Sequence, residues 1–287
     1  MSNLNAAELT SFKRIEKKFV LSQDEGMELL RMIAERVPSS YPKQDTQFYD
    51  VESLYFDSPD LDIYRAHFQV YDGRFKLRTR TYGPNGIWDR SCVFLEMKIK
   101  NREVTEKFRI KLDPETHARL FETEASELAL SRALIRTNPS LEFRELSHRV
   151  KSVDQILRKL KLRPCSRLYY RRKAFENSEI RITLDENIQG ELLMDIPAAT
   201  RMEIFGSSLW SQAQQMHKGY PISRGMVLEI KNEGILPDWL DGFLKESKTP
   251  EARFSKYCYS VTSNISGAIG VPLSRAEIAP VLRRVAE

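Results

Sequence analysis

Charged and apolar residues alternate along six stretches of this sequence, with the two-residue period of strands that keep one face on a core. From Phe12 to Val20, Arg14, Glu16 and Lys18 share one face, while Ile15 and Phe19 take the other. From Arg74 to Arg80, Arg74, Lys76, Arg78 and Arg80 alternate with Phe75, Leu77 and Thr79. Val93 to Lys100 sets Glu96, Lys98 and Lys100 against Val93, Leu95, Met97 and Ile99; Glu106 to Leu112 sets Lys107, Arg109 and Lys111 against Phe108, Ile110 and Leu112. Two later stretches follow the rule: Glu179 to Asp185, with Glu179, Arg181 and Asp185, and Met226 to Lys231, with Glu229 and Lys231.

Helical signals fall between them. Ser22 and Glu25 form a capping box ahead of an amphipathic run through Met27, Leu30, Ile33 and Val37. Asp113 and Pro114 mark a second start, and Leu146, Val150, Val153, Leu157 and Leu160 predict a long helix within Leu141 to Leu162. Shorter helices are expected at 207–217, 236–246 and 251–264. No linker or repeat interrupts the pattern, so residues 1–267 are expected to form one domain, with 268–287 a tail that is helical from Ser274.

Charge changes the picture more than composition does. The chain has 287 residues and a net charge of +5. The charged strand faces alone hold thirteen Lys or Arg against five Asp or Glu, an excess of +8. A closed sheet with that face inward would surround a wet, cationic interior, because unpaired charge in a dry core costs several kcal/mol per ion. Such a tunnel suits a long, thin polyanion, with arginine forks matched to phosphate oxygens. Glu16, Glu96 and Glu229 would then serve a hard divalent cation, Mn²⁺ or Mg²⁺. On the same view, truncating Arg78 or Arg80 relieves like-charge crowding and leaves stability intact.

Other chemistries find little support. Cys92, Cys165 and Cys258 are odd in number and far apart, which fits a reducing, cytoplasmic setting rather than a zinc site or disulfide framework. His67, His117, His148 and His217 are isolated and are taken as surface or packing residues. Neither a phosphate-binding glycine loop nor a nucleophile elbow occurs, no run of about 18 apolar residues is present, and no interleaving of basic and aromatic residues suggests a nucleic acid.

Eight segments, in order, carry a family resemblance: Arg14–Phe19, Ser53–Asp57, Phe75–Tyr82, Phe94–Lys98, Tyr170–Phe175, Arg181–Asp185, Val227–Lys231 and Phe254–Tyr257. The set resembles the catalytic domain of the vacuolar transporter chaperone (VTC) family, the polyphosphate polymerases of the triphosphate tunnel metalloenzyme superfamily. The resemblance implies an α+β fold, a closed antiparallel eight-stranded β-barrel with helices packed outside. It also implies transfer of the γ-phosphoryl group of ATP to polyphosphate, helped by Mn²⁺ or Mg²⁺. Arg78, Arg80, Lys98, Lys107, Arg172, Arg181 and Lys256 would grip phosphate, and Glu229 would hold the metal. Arg14, Lys18, Lys76 and Lys231 complete the expected substrate contacts.

Alternation puts Arg171, not Arg172, on the face of Arg167 and Tyr169, so bringing Arg172 inward calls for a bulge. Arg14 stands where the wider superfamily opens with glutamate, which favours the polymerase branch over the adenylate cyclase and thiamine triphosphatase branches. Fungal members also carry a regulatory domain and membrane helices that this sequence does not show, so a separate membrane or regulatory partner is expected. A hydrolase of triphosphate or polyphosphate, and a non-catalytic sensor of polyphosphate or inositol phosphates, are the alternatives.

Overall fold

The computed structural model describes residues 15–40, 48–69, 74–83, 93–101, 104–119, 134–208, 211–213 and 225–267. Arg14, Cys92, His217 and the 268–287 tail lie outside them. Eight strands form one antiparallel sheet: β1 (Ile15–Ser22), β2 (Tyr49–Asp57), β3 (Arg74–Gly83), β4 (Val93–Asn101), β5 (Val104–Leu112), β6 (Arg163–Glu176), β7 (Ile180–Leu192) and β8 (Gly225–Asn232). Their order across the sheet is β1-β8-β7-β6-β2-β3-β4-β5. Over their described residues, all six stretches with charged alternation fall on strands, except that Glu179 stands just ahead of β7.

The sheet rolls without closing. Glu16 on the first edge strand comes within 3.4 Å of Lys98 on β4, so the roll brings distant strands face to face. Yet no ladder joins β1 to β5 among the described residues, which corrects the closed barrel expected from the sequence. The free edge of β1 is taken instead by the chain from the 250s: Ala252 N–H donates to the Lys18 carbonyl at 2.7 Å. Lys107 and Lys111, both exposed on β5, are of the kind that keeps an edge strand from pairing.

The convex side carries the apolar faces. Helix α1 (Gln23–Ala34) starts at the capping box foreseen, with Ser22 accepting from the Glu25 amide and Glu25 accepting from Ser22 N–H. Its Leu29, Leu30 and Ile33 join Leu21, Ile182, Met226, Leu228 and Ile230 in one buried cluster. The cluster also includes Leu240, Phe243 and Leu244. A short helix, α2 (Asp62–Phe68), follows β2; α3 (Pro114–Arg119) is capped by Asp113, which accepts from Thr116 N–H at 2.7 Å. Helix α4 (Phe143–Lys159) buries Leu146, Val150, Val153 and Leu157 as its spacing predicts. Further on come α5 (Ala198–Gly206), α6 (Asp238–Glu246), which supplies those last three apolar residues, and α7 (Lys256–Gly267).

Not every helix packs outside. Helix α7 lies on the inner face: Tyr257 stacks on Tyr55 with ring centroids 5.1 Å apart, and the Ser260 hydroxyl is 2.7 Å from that of Ser166. The inward positions of β2 and β6 explain this, because Val51, Ser53, Tyr55, Ser166 and Leu168 are apolar or neutral and welcome an apolar helix. Gly190 permits the approach; a Cβ there would sit 2.1 Å from the Ser260 hydroxyl. Asp57 ties the helix down. Fully buried, its carboxylate accepts N–H donors from Ser58, Ile63 and Tyr64 and the Tyr257 hydroxyl, and burial raises its pKa to about 6.

Candidate functional site

The rest of the concave face encloses a cavity of about 860 Å³. Fourteen Lys or Arg line it against four Glu. Lys18, Lys76, Arg78, Arg80, Lys98, Lys107, Arg172, Arg181, Lys231 and Lys256 all reach it, as do Glu16, Glu96 and Glu229. Of the site residues named from sequence, Arg14 alone is not described. Three knots organise the charge.

The first knot centres on Glu96, only 4% exposed on β4. The register of β3 with β4 sets Arg78 opposite it, and the Arg78 guanidinium donates at 2.7 and 2.8 Å. Arg80 stands 3.8 Å away, and Arg109 on β5 is 3.5 Å from the other oxygen. Burial works to raise the Glu96 pKa, but Arg78, Arg80 and Lys107 outweigh it and hold the carboxyl at about 2. Tyr55 joins this knot by accepting from Arg78 at 2.7 Å. Against burial, Arg78, Arg80 and Lys76 bring the Tyr55 phenol down to about 8.

The second knot is Asp185, with no exposed surface. Its oxygens accept from Arg172 at 2.6 and 2.7 Å and from Lys256 at 2.6 Å. Arg172 therefore faces inward, as expected, but no bulge is needed. The β2–β6 register runs unbroken from Tyr49–Arg172 to Tyr55–Ser166, which puts Tyr170 and Arg172 inside and Arg167, Tyr169 and Arg171 outside. Arg171 pairs with Glu186 and is 45% exposed, against 12% for Arg172. Alternation was right; the face taken as inward was the wrong one.

The third knot spans β1 and β8, where Lys18 pairs opposite Glu229 and Glu16 opposite Lys231. Glu16 lies 2.9 Å from Lys18, 3.4 Å from Lys98 and 3.6 Å from Lys231; Glu229 lies 2.6 Å from Lys231. Burial would lift both carboxyls. For Glu16, Lys18 leads the cations that bring it to about 2, with Glu229 opposing; for Glu229, Lys18, Lys231 and Lys256 hold it well below the usual range.

Glu16 and Glu96, both lowered from 4.5 to about 2, stabilise the folded state above their unfolded pKa, and that contribution is lost as pH falls through the folded value. Asp57, raised from 3.8, acts oppositely: its contribution is present below 3.8 and lost as pH rises through about 6. The urea midpoint should therefore fall steeply between about pH 4.5 and 2, and Glu96→Gln should make that fall shallower. An unchanged acid slope in Glu96→Gln would show that the knot adds nothing to stability.

Lys76 donates to the Ser255 hydroxyl at 2.7 Å, and burial lowers its pKa. Among the described residues no salt bridge within 4.0 Å pairs Lys76, Lys107, Arg74 or Lys100 with a carboxylate, although Lys107 lies close enough to Glu96 to help hold its carboxyl low. His67, set aside in the sequence, lines the cavity and stacks edge-on against Phe68. Tyr55 and Asp57 were missed as site-shaping residues, although both fall in the Ser53–Asp57 segment.

No group of three or more His, Cys, Asp or Glu among the described residues is placed to hold a metal ion. Mg²⁺ commonly takes one or two carboxylates and completes its shell with water and substrate phosphate. Glu16 and Glu229, on neighbouring strands, fit that smaller set. Both Glu96 oxygens face guanidinium groups and fit it poorly. Among the described residues no helix is long and apolar enough to cross a membrane, and Cys165 and Cys258 are buried free thiols.

Fold and site together define a rolled antiparallel sheet protein whose concave face holds a cavity with a large cationic excess. The chain belongs to the VTC domain family, whose profile matches residues 13–265. It is similar to vacuolar transporter chaperone complex subunit 4 of Schizosaccharomyces pombe, 26% identical over 147 residues, which is 48% of this chain and 20% of that protein. Among solved structures it is similar to the PH1819 protein of Pyrococcus horikoshii, with a TM-score of 0.41, 14% identity and coverage of 87% of this chain and 98% of that one. A likeness at that level adds nothing to the functional reading.

Proposed function

We propose that this chain is a polyphosphate polymerase domain, transferring the γ-phosphoryl group of ATP to a polyphosphate chain inside the cavity with the help of Mn²⁺ or Mg²⁺. The observation that carries the reading is the division of the wall: Arg78 and Arg80 clustered around one buried carboxylate, with Glu16 and Glu229 on another side of the same space. Membership of the VTC domain family and the relative named as a VTC complex subunit support it. By the same analogy, the domain would work beside other subunits or a membrane partner.

Phosphoryl transfer asks for positioning and charge stabilisation more than for covalent help. Arg78 and Arg80 neutralise charge on the β and γ phosphates as the bond to ADP breaks and a terminal oxygen of the acceptor chain bonds to phosphorus. Lys98 and Lys76 hold the acceptor, while Lys18, Lys107, Arg172, Arg181, Lys231 and Lys256 keep the cavity attractive to it. The acceptor is already anionic, so no strong base is required. Glu16 and Glu229 would hold a divalent cation, which would supply Lewis-acid neutralisation of charge developing on the phosphates.

Incubation of the purified protein with ATP and Mn²⁺ should yield chain polymer resolvable by gel electrophoresis, and inorganic triphosphate should raise the melting temperature. Binding to the folded state alone adds about 2.7 kcal/mol at a hundredfold excess over Kd. Free phosphate without polymer would make the domain a hydrolase. A thermal shift with no turnover would make it a sensor, and no shift in low salt would remove the tunnel reading altogether.

A further inference from the structure

The cavity wall changes character along β3. From Arg74 the inward positions run through Lys76, Arg78 and Arg80 and then end on Tyr82. At that end the neighbouring strands also turn aromatic: Tyr49 on β2 and Phe94 on β4 flank Tyr82, each with ring centroids 6.0 Å away, tilted at 55° and 68°. Arg109 reaches across from β5 and lies over Phe94, its guanidinium carbon 3.6 Å from the ring centroid and 5.5 Å from that of Tyr82. It donates to the Tyr82 hydroxyl at 3.2 Å and comes within 3.5 Å of Glu96. Arg109 is thus held by three partners and yet remains 41% exposed. Tyr49, Tyr82 and Arg109 all line the cavity.

The other end is built differently: His67, edge-on to Phe68, lines it beside Arg74, which donates to the His67 carbonyl. There Arg74 pairs across from Lys100 and Lys76 from Lys98. Tyr82 and Arg74 are separated by about 27 Å of strand, at roughly 3.4 Å per residue.

An inorganic phosphate chain presents no flat apolar face, so the rings offer it no contact of their own. A nucleobase does present one, and both aromatic rings and arginine planes stack on it. We propose that Tyr82 and the Arg109–Phe94 pair form a platform for the base of the nucleoside triphosphate donor. The inference rests on the polymerase reading and gives the tunnel a direction. With the base at Tyr82, the phosphates pass Arg80 and Arg78 in turn, and the growing chain lies toward Lys76, Lys98, Arg74 and Lys100.

Calorimetry with ATP and with inorganic triphosphate, both without metal, separates the base from the phosphates. Tyr82→Leu and Arg109→Lys should each weaken ATP binding about tenfold, within the range of losses for base stacking. Both should leave triphosphate binding within about twofold, since neither substitution removes charge. Tyr82→Phe keeps the ring and should bind both ligands as the unaltered protein does. If ATP and triphosphate weaken together, or if ATP binding does not change, the platform is overturned while the tunnel stands. If the unaltered protein binds neither ligand, the polymerase reading falls first and takes the platform with it.

Discussion

Asp185→Ala should destabilise the fold by about 3–5 kcal/mol, the range found when one partner of a buried ion pair is removed. Asp185 has no exposed surface, and both cations it holds, Arg172 and Lys256, are only 12% exposed. Without the carboxylate, two cations on different elements, β6 and the first residue of α7, repel each other. Helix α7 should loosen first, since its Lys256 loses its 2.6 Å partner. Urea unfolding at neutral pH measures the loss, and millimolar triphosphate should restore part of it by supplying the missing anion. A loss below about 1 kcal/mol, as at an exposed pair, would mean that water already screens the trio.

Glu229→Gln separates the two jobs a carboxylate has in a cationic cavity. Lys18, Lys231 and Lys256 oppose burial and keep Glu229 ionised well below neutral pH, so it subtracts from the attraction for phosphate under all ordinary conditions. The neutral amide frees Lys231 from its 2.6 Å contact, and triphosphate binding without metal should hold or improve. Metal-dependent turnover should be lost, because an amide is a much poorer ligand for a hard divalent cation. Metal-free calorimetry beside a product assay with Mn²⁺ tests both halves. Near-normal turnover would reduce Glu229 to an ion-pair partner of Lys231 and Lys18.

The sequence revealed most where inward residues are charged. On β3, β4 and β5 the alternation of cations with apolar residues located the strands, their inner faces and much of the cavity wall. It was nearly silent for β2 and β6, whose inner faces carry Tyr55, Ser53 and Leu168 because α7 packs there. The same circumstance misled the choice between Arg171 and Arg172, since the more visibly charged face of β6 is the outer one.

Local side-chain capping marked some of the helices but not most. Ser22 and Asp113 announce α1 and α3 from adjacent positions, whereas α2 follows Leu61 in a left-handed conformation with no side-chain cap of its own. Its amides are met by Asp57, several residues upstream, and α5 begins behind Pro197, ahead of the 207–217 stretch expected to be helical. Closure could not be judged from alternation, because the edge of β1 pairs with Ala252, far along the chain. Truncating Arg78 or Arg80 must also be reconsidered. A row of like charges suggested relief, but Glu96 is buried among them, and shortening either arginine strips a nearby cation from it.

The knot at Glu96 has a further consequence, for entropy rather than charge. A free arginine side chain carries about 2 kcal/mol of rotamer freedom. In this cavity Arg78 is bound by Glu96 and Tyr55, and Arg80 by Glu96 and Ser53, with no ligand present. Folding has already ordered these guanidinium groups, so the ligand meets oriented donors and need not immobilise them. The buried carboxylate lowers the positive potential of the cavity, and in return it makes the geometry of its donors rigid.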